Sequence, residues 1–217
     1  MKIKVCGMKY PGNIREIASL PVDYLGFIFY EKSSRYVGNM DVSGINLPAS
    51  IVKTGVFVNE STDRMLASVD KYRLDALQLH GHEAPDTCRY LQSRGLRIIK
   101  AFSIEKKEDL AQCHSYRGAC DYFLFDTRTP QYGGSGRQFD WDILHNYSEN
   151  IPFFLSGGIG ADDAEKLRSF THPAYYGIDL NSRFEIQPGL KNIPLLTQFI
   201  KKIQQSSSHE QNQPIIP

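Results

Sequence analysis

The chain has 217 residues, 41% hydrophobic and 23% charged, the make-up of a folded globular protein with room for one large core or two small ones. Lysine and arginine number 25 against 24 aspartates and glutamates, a net charge of +1, which excludes both a basic footprint for nucleic acid and an acidic tail. No apolar run approaches the ~18 residues of a membrane helix, and the opening Met1-Lys2-Ile3-Lys4-Val5-Cys6-Gly7 lacks the apolar stretch of a secretory signal.

Short apolar runs recur along the chain, most of them ending in a polar or small residue. In order they are Ile3-Lys4-Val5 before Cys6, residues 25–29 leading towards Arg35, Val56-Phe57-Val58 before Asn59, and residues 76–79 before His80. Ile98 and Ile99 then lead into Lys100-Ala101-Phe102, followed by residues 122–125 before Asp126, 153–155 before Ser156, and 175–178 before Asp179. These eight strand candidates are short and rich in β-branched or aromatic residues. Apolar spacing of three to four predicts helices over 14–20, 61–71, 85–93, 106–114, 141–147, 161–170 and 195–205. Gly38, Gly44 and Pro48 break the gap after the second strand, so any helix there is short or irregular.

Strands alternating with helices imply parallel pairing through right-handed crossovers. Eight units fit a (β/α)8 TIM barrel in a single domain over residues 1–205, compact for a fold that usually takes ~250 residues. The alternative is an open doubly wound sheet, for which eight strands would be many. The end, residues 206–217, is Ser/Gln/Pro-rich and reads as a disordered tail. Cys6, Cys88, Cys113 and Cys120 form no CxxC pair, so neither a zinc ribbon nor a thioredoxin-type site is indicated. A cytoplasmic protein with reduced thiols is expected.

The barrel reading turns position into chemistry, because active sites in this fold lie at the C-terminal ends of the strands and phosphate binds after strands 7 and 8. Gly157-Gly158 follows the seventh candidate and precedes Asp162-Asp163 at a helix start. Free N–H groups and the positive end of a helix there suit a phosphate, although a plain βα turn has the same sequence. Asp179-Leu180-Asn181-Ser182 follows the eighth candidate. Cys6 and Asp126 end the first and sixth, so both face the barrel mouth. A thiol there is a nucleophile or base once ionised, and a carboxyl in a partly apolar mouth can stay protonated long enough to be an acid. Read as structure alone, Cys6 is a small buried hydrophobe and Asp126 a cap or loop ion pair. Arg35 could grip a carboxylate in its fork or be a solvated loop arginine, and His80 could simply satisfy backbone groups in a turn. Residues 127–138, with Gly133-Gly134-Ser135-Gly136, are long enough to close over a ligand.

Taken in order, the motifs resemble those of phosphoribosylanthranilate isomerases. The matching pieces are Lys4-Val5-Cys6-Gly7-Met8, Leu25-Gly26-Phe27-Ile28-Phe29, Ser33-Ser34-Arg35-Tyr36-Val37, Gly55-Val56-Phe57-Val58-Asn59 and Leu77-Gln78-Leu79-His80-Gly81. They continue through Phe125-Asp126-Thr127, Gly133-Gly134-Ser135-Gly136, Phe139-Asp140-Trp141, Leu155-Ser156-Gly157-Gly158, Gly177-Ile178-Asp179 and Pro188-Gly189-Leu190-Lys191.

The resemblance implies a barrel that needs no metal or cofactor and carries out an Amadori rearrangement of a phosphosugar. It implies Asp126 as general acid, Cys6 as general base and Arg35 near the anthranilate group, with His80, Gly133 and Gly134 as further substrate contacts. Gly157, Gly158, Asp179, Asn181 and Ser182 would surround the phosphate. Ser34 stands where the family commonly has proline, and Asn181-Ser182-Arg183 where Ser-Ser-Gly is common. Two other readings stay open: a phosphosugar-binding barrel without catalysis, and a different phosphosugar barrel enzyme. No lysine at the tip of the first strand and no metal-ligand cluster supports the latter. A small-molecule partner, no nucleic acid, no membrane and a monomeric chain are expected.

Overall fold

The structure, a computed structural model, describes residues 1–38, 40–127 and 138–205. The eight strand candidates all become strands: β1 (Lys2–Val5), β2 (Tyr24–Ile28), β3 (Val52–Phe57), β4 (Ala76–Leu79), β5 (Arg97–Ile104), β6 (Tyr122–Thr127), β7 (Phe153–Leu155) and β8 (Tyr175–Leu180). Each pairs in parallel with its neighbour in sequence, and β8 returns to pair with β1, closing a barrel with Lys4 opposite Asp179. The open-sheet alternative is thereby excluded. β3 begins four residues before its apolar core, because Lys53 and Thr54 are held in the ladder opposite Leu25 and Gly26. Strand pairing there outweighs the weak β preference of a lysine.

Helices cover the outside: α1 (Pro11–Ala18), α2 (Thr62–Tyr72), α3 (Pro85–Ser93), α4 (Ala164–Ser169) and α5 (Ile193–Gln204). Proline begins α1 and α3, where a missing N–H costs nothing. Ser61 caps α2 by accepting from the Arg64 N–H. Two expected helices are instead 3-10 helices, Lys107–Tyr116 and Trp141–Asn146. A 3-10 turn rises ~2.0 Å per residue against ~1.5 Å in an α-helix, so short connections still span the barrel wall. Among the described residues no helix joins β2 to β3; Val37, Val42, Ile45 and Ile51 from turns bury themselves where one would lie. A hairpin of β9 (Glu185–Gln187) and β10 (Leu190–Lys191), absent from the sequence reading, follows β8.

Two apolar clusters divide the core. The larger lies between barrel and helices and includes Val5, Ile14, Phe27, Leu77, Phe125 and Phe199. The smaller, built on Tyr24, Ile99, Ala101, Leu124 and Phe154, fills the barrel. Its ring contacts, Tyr24 on Phe154 edge-on at 5.2 Å and Phe154 on Tyr176 at 5.2 Å, make an aromatic floor. Buried Lys4, Thr54, Gln78 and Asp179 add polar groups to the interior. Burying an ammonium or carboxylate is costly unless it is paired, so those residues must answer to one another or to a ligand.

Candidate active site

Side chains two apart on a strand share a face. On β1 this aligns Lys4 with Cys6, next to β4 it aligns Gln78 with His80, and on β6 it aligns Leu124 of the floor with Asp126. Cys6 is 3% exposed. Its sulfur lies against Gly26 of β2, where an added Cβ would fall 2.6 Å away, so a side chain at 26 would displace the thiol. Burial pushes the Cys6 thiol above its ordinary range and Asp179 adds to that, while Lys4 and Lys191 pull it down. Lys4, fully buried, donates to Asp179 Oδ1 at 2.8 Å. Burial favours its neutral form, but Asp179 and Cys6 more than offset that, and Lys4 is held above its ordinary range.

Across the mouth, His80 Nε2 stands 3.3 Å from Asp126 Oδ2. Gln78 Nε2 is 2.8 Å from His80 Nδ1, which fixes the ring. The other Asp126 oxygen accepts from the Thr127 N–H at 2.9 Å. Asp179, between the two sides, feels both Lys4 and the Asp126–His80 pair; burial raises its carboxyl and Lys4 opposes the rise. A thiol, a carboxyl and an imidazole thus converge on one polar mouth.

Gly157 sits directly behind Asp126. Its φ is +89°, and a Cβ there would collide with Thr127 Oγ1 and lie 3.1 Å from Asp126 Oδ1. Both the conformation and the space require glycine. Gly158 also has positive φ, at 66°. The backbone N–H groups of Gly158, Ser182 and Arg183 are accepted by no other described group. These donors at the adjoining ends of β7 and β8 have no acceptor among the described residues.

On the other flank, Arg35 turns its fork onto Glu185, with Nε at 2.9 Å and Nη2 at 2.7 Å. The carboxylate in that fork is therefore the chain's own. Lys191, 1% exposed, donates to Glu185 Oε1 at 2.7 Å and to Asn181 Oδ1 at 2.8 Å. Two cations on one carboxylate leave an excess positive charge beside Asn181 and Gly7. Against the cost of burial, Arg35 and Lys191 hold the Glu185 carboxyl below the usual range. Burial lowers Lys191 despite Glu185.

Cys6, Asp126, His80 and Asp179 are thus brought together, with Asn181 and Arg35 on one flank and Gly157 and Gly158 on the other. Gly133 and Gly134 lie outside the described residues. Sequence reading missed Lys4, Gln78, Glu185 and Lys191. Lys4 and Gln78 carried one positional signal, a polar residue two positions before a strand-end candidate; Glu185 and Lys191 carried no such signal without the hairpin, although Lys191 lies in one of the matching motifs. Among the described residues no three His, Cys, Asp or Glu side chains gather in a metal-holding group.

The model of the N-(5'-phosphoribosyl)anthranilate (PRA) isomerase family matches residues 3–202. A relative named N-(5'-phosphoribosyl)anthranilate isomerase, from Parabacteroides distasonis, is 52% identical over 206 residues, covering 94% of this chain and 93% of its own. The crystal structure of phosphoribosyl anthranilate isomerase from Thermotoga maritima matches with a TM-score of 0.83 and 32% identity, covering 94% of this chain and 98% of that one. A crystal structure of phosphoribosyl anthranilate isomerase with reduced 1-(o-carboxyphenylamino)-1-deoxyribulose 5-phosphate matches at a TM-score of 0.79 and 28% identity, over 94% of this chain and 98% of that one.

Proposed function

The chain belongs to the N-(5'-phosphoribosyl)anthranilate isomerase family, and from that premise we propose how its own residues carry the reaction. The reaction is the Amadori rearrangement of N-(5-phosphoribosyl)anthranilate to 1-(2-carboxyphenylamino)-1-deoxyribulose 5-phosphate, a step of tryptophan biosynthesis. The observation that carries the assignment of roles is the placement of Cys6 and Asp126 at the ends of β1 and β6, on either side of buried Asp179.

Asp126 gives its proton to the ribose ring oxygen, the C1–O bond breaks, and the nitrogen lone pair forms a Schiff base. The Cys6 thiolate then takes the C2 proton, and the C–H electrons become the C1–C2 double bond of an enolamine. Loss of the enol proton and protonation at C1 give the ketone, so the product is an isomer of the substrate. Acid and base must act on different sides of the sugar, which suits strands on different sides of the mouth. The free N–H groups after β7 and β8 take the phosphate, as the fold commonly does. Arg35, His80, Gly133 and Gly134 complete the substrate contacts, with Arg35 facing the anthranilate end.

A monomer as the working unit is part of the proposal, and light scattering at assay concentration tests that. Residues 1–205 form the catalytic unit in this reading. No helix among the described residues is long and apolar enough to cross a membrane, and a cytoplasmic location is part of the proposal. Phosphoribosylanthranilate is fluorescent through its aminobenzoate group, so its loss on adding the purified chain tests the activity directly. A rate no greater than the spontaneous decay would leave only a phosphosugar-binding barrel.

A further inference from the structure

The corner after β7 and β8 holds a side chain that a backbone-only phosphate site does not need. Arg183 belongs to the short 3-10 helix Ser182–Phe184 after β8, yet its guanidinium crosses to the β7 side and lies over Gly160. A Cβ at Gly160 would sit 3.1 Å from Arg183 Nε and 3.5 Å from Nη2, so the bare glycine lets the guanidinium settle there. No described carboxylate comes within ion-pair distance of Arg183. Asp163, whose Oδ2 also lies by Gly160, is already engaged, that oxygen accepting from the Gly160 N–H and from Gln138 Nε2, both at 2.6 Å. The guanidinium of the first turn after β8 thus lies over Gly160 of the turn after β7, the two turns that carry the N–H groups of Gly158, Ser182 and Arg183 without a described acceptor.

We propose that Arg183 is a substrate-binding residue that supplies the cationic contact to the 5-phosphate of the substrate. The proposal rests on the reading that the phosphate binds after β7 and β8. A guanidinium matches a phosphate with two parallel N–H donors, and such charge-assisted bonds are roughly twice as strong as neutral ones. The contact is remote from the bonds that change. It holds ground state and transition state alike and belongs to KM rather than kcat.

The test is inhibition by inorganic phosphate and steady-state kinetics for wild type, Arg183→Gln and Arg183→Lys. Wild type should show competitive inhibition by phosphate. In Arg183→Gln both the phosphate inhibition constant and KM should rise together, by about tenfold for a lost bond to a charged group, with kcat changed far less. Arg183→Lys should recover part of the loss, since it keeps the charge without the fork. Arg183 is exposed, so the variants should fold, and an unchanged melting temperature checks this. Competitive inhibition in wild type with an unchanged inhibition constant in Arg183→Gln would overturn the role of Arg183 alone. Noncompetitive inhibition of wild type would instead remove the phosphate corner itself, and the proposal with it.

Discussion

Cys6 shows how closely two opposing charges govern one group. Burial holds its thiol protonated, Lys4 favours the thiolate and Asp179 opposes it. If Cys6 is the base, the rising limb of kcat/KM against pH reports its thiolate in the free enzyme. Lys4→Met removes the nearest cation and should move that limb to higher pH; Asp179→Asn removes the anion and should move it to lower pH. Both variants shifting the limb the same way would mean that it does not report Cys6. Cys6 and Asp126 were legible because each follows an apolar run as its first polar or reactive residue, and a strand of known direction points that residue into the mouth. Lys4 and Gln78 were not, because a lone polar residue inside a strand reads as a solvent-facing one until the barrel closes around it. Glu185 and Lys191 were hidden further, since their partners Arg35 and Asn181 meet them only through tertiary contact.

At the scale of elements, the β9–β10 hairpin latches the mouth through Glu185. Its carboxylate accepts from Arg35, from Lys191 and, at 3.0 Å, from the Gly189 N–H. Because Glu185 is held below its ordinary range in the folded state, its stabilising effect is present above the unfolded value of ~4.3 and is lost as pH falls through the lower folded value. Glu185→Gln strands two cations, and removing one partner of a buried pair costs about 3–5 kcal/mol. The melting temperature should fall by roughly 6–20 °C at neutral pH for a chain of this size. The difference from wild type should shrink on acidification below pH ~4; a constant difference down to pH ~2 would show that Glu185 acts through shape rather than charge. Strands of three and two residues carry too little periodicity to announce a hairpin. The 3-10 segments escaped for a related reason: spacing of three to four fits both helix types, and only the span to be covered chooses between them.

For the whole molecule, barrel closure is what makes eight weak signals into one. Each strand is three to eight residues long, ambiguous by itself, but the alternation with helices over the whole chain left few topologies. The gap after β2 was correctly weak, since glycines and a proline there yield turns, not a helix. The last barrel-covering element, α5, ends at Gln204 and buries Leu196, Phe199, Ile200 and Ile203. A chain ended at Gln205 should keep its melting temperature within about 2 °C, because no described barrel contact is removed; a larger drop would show that the last residues dock on the barrel. The division of labour between the two sides of the mouth is tested most directly by kcat for phosphoribosylanthranilate in Cys6→Ala and Asp126→Asn. Each should lose about 10²–10⁴-fold in kcat with KM changed far less, the usual effect of removing a positioned acid or base. Near wild-type kcat in Cys6→Ala would contradict it and pass the role of base to another group, with His80 the first to test.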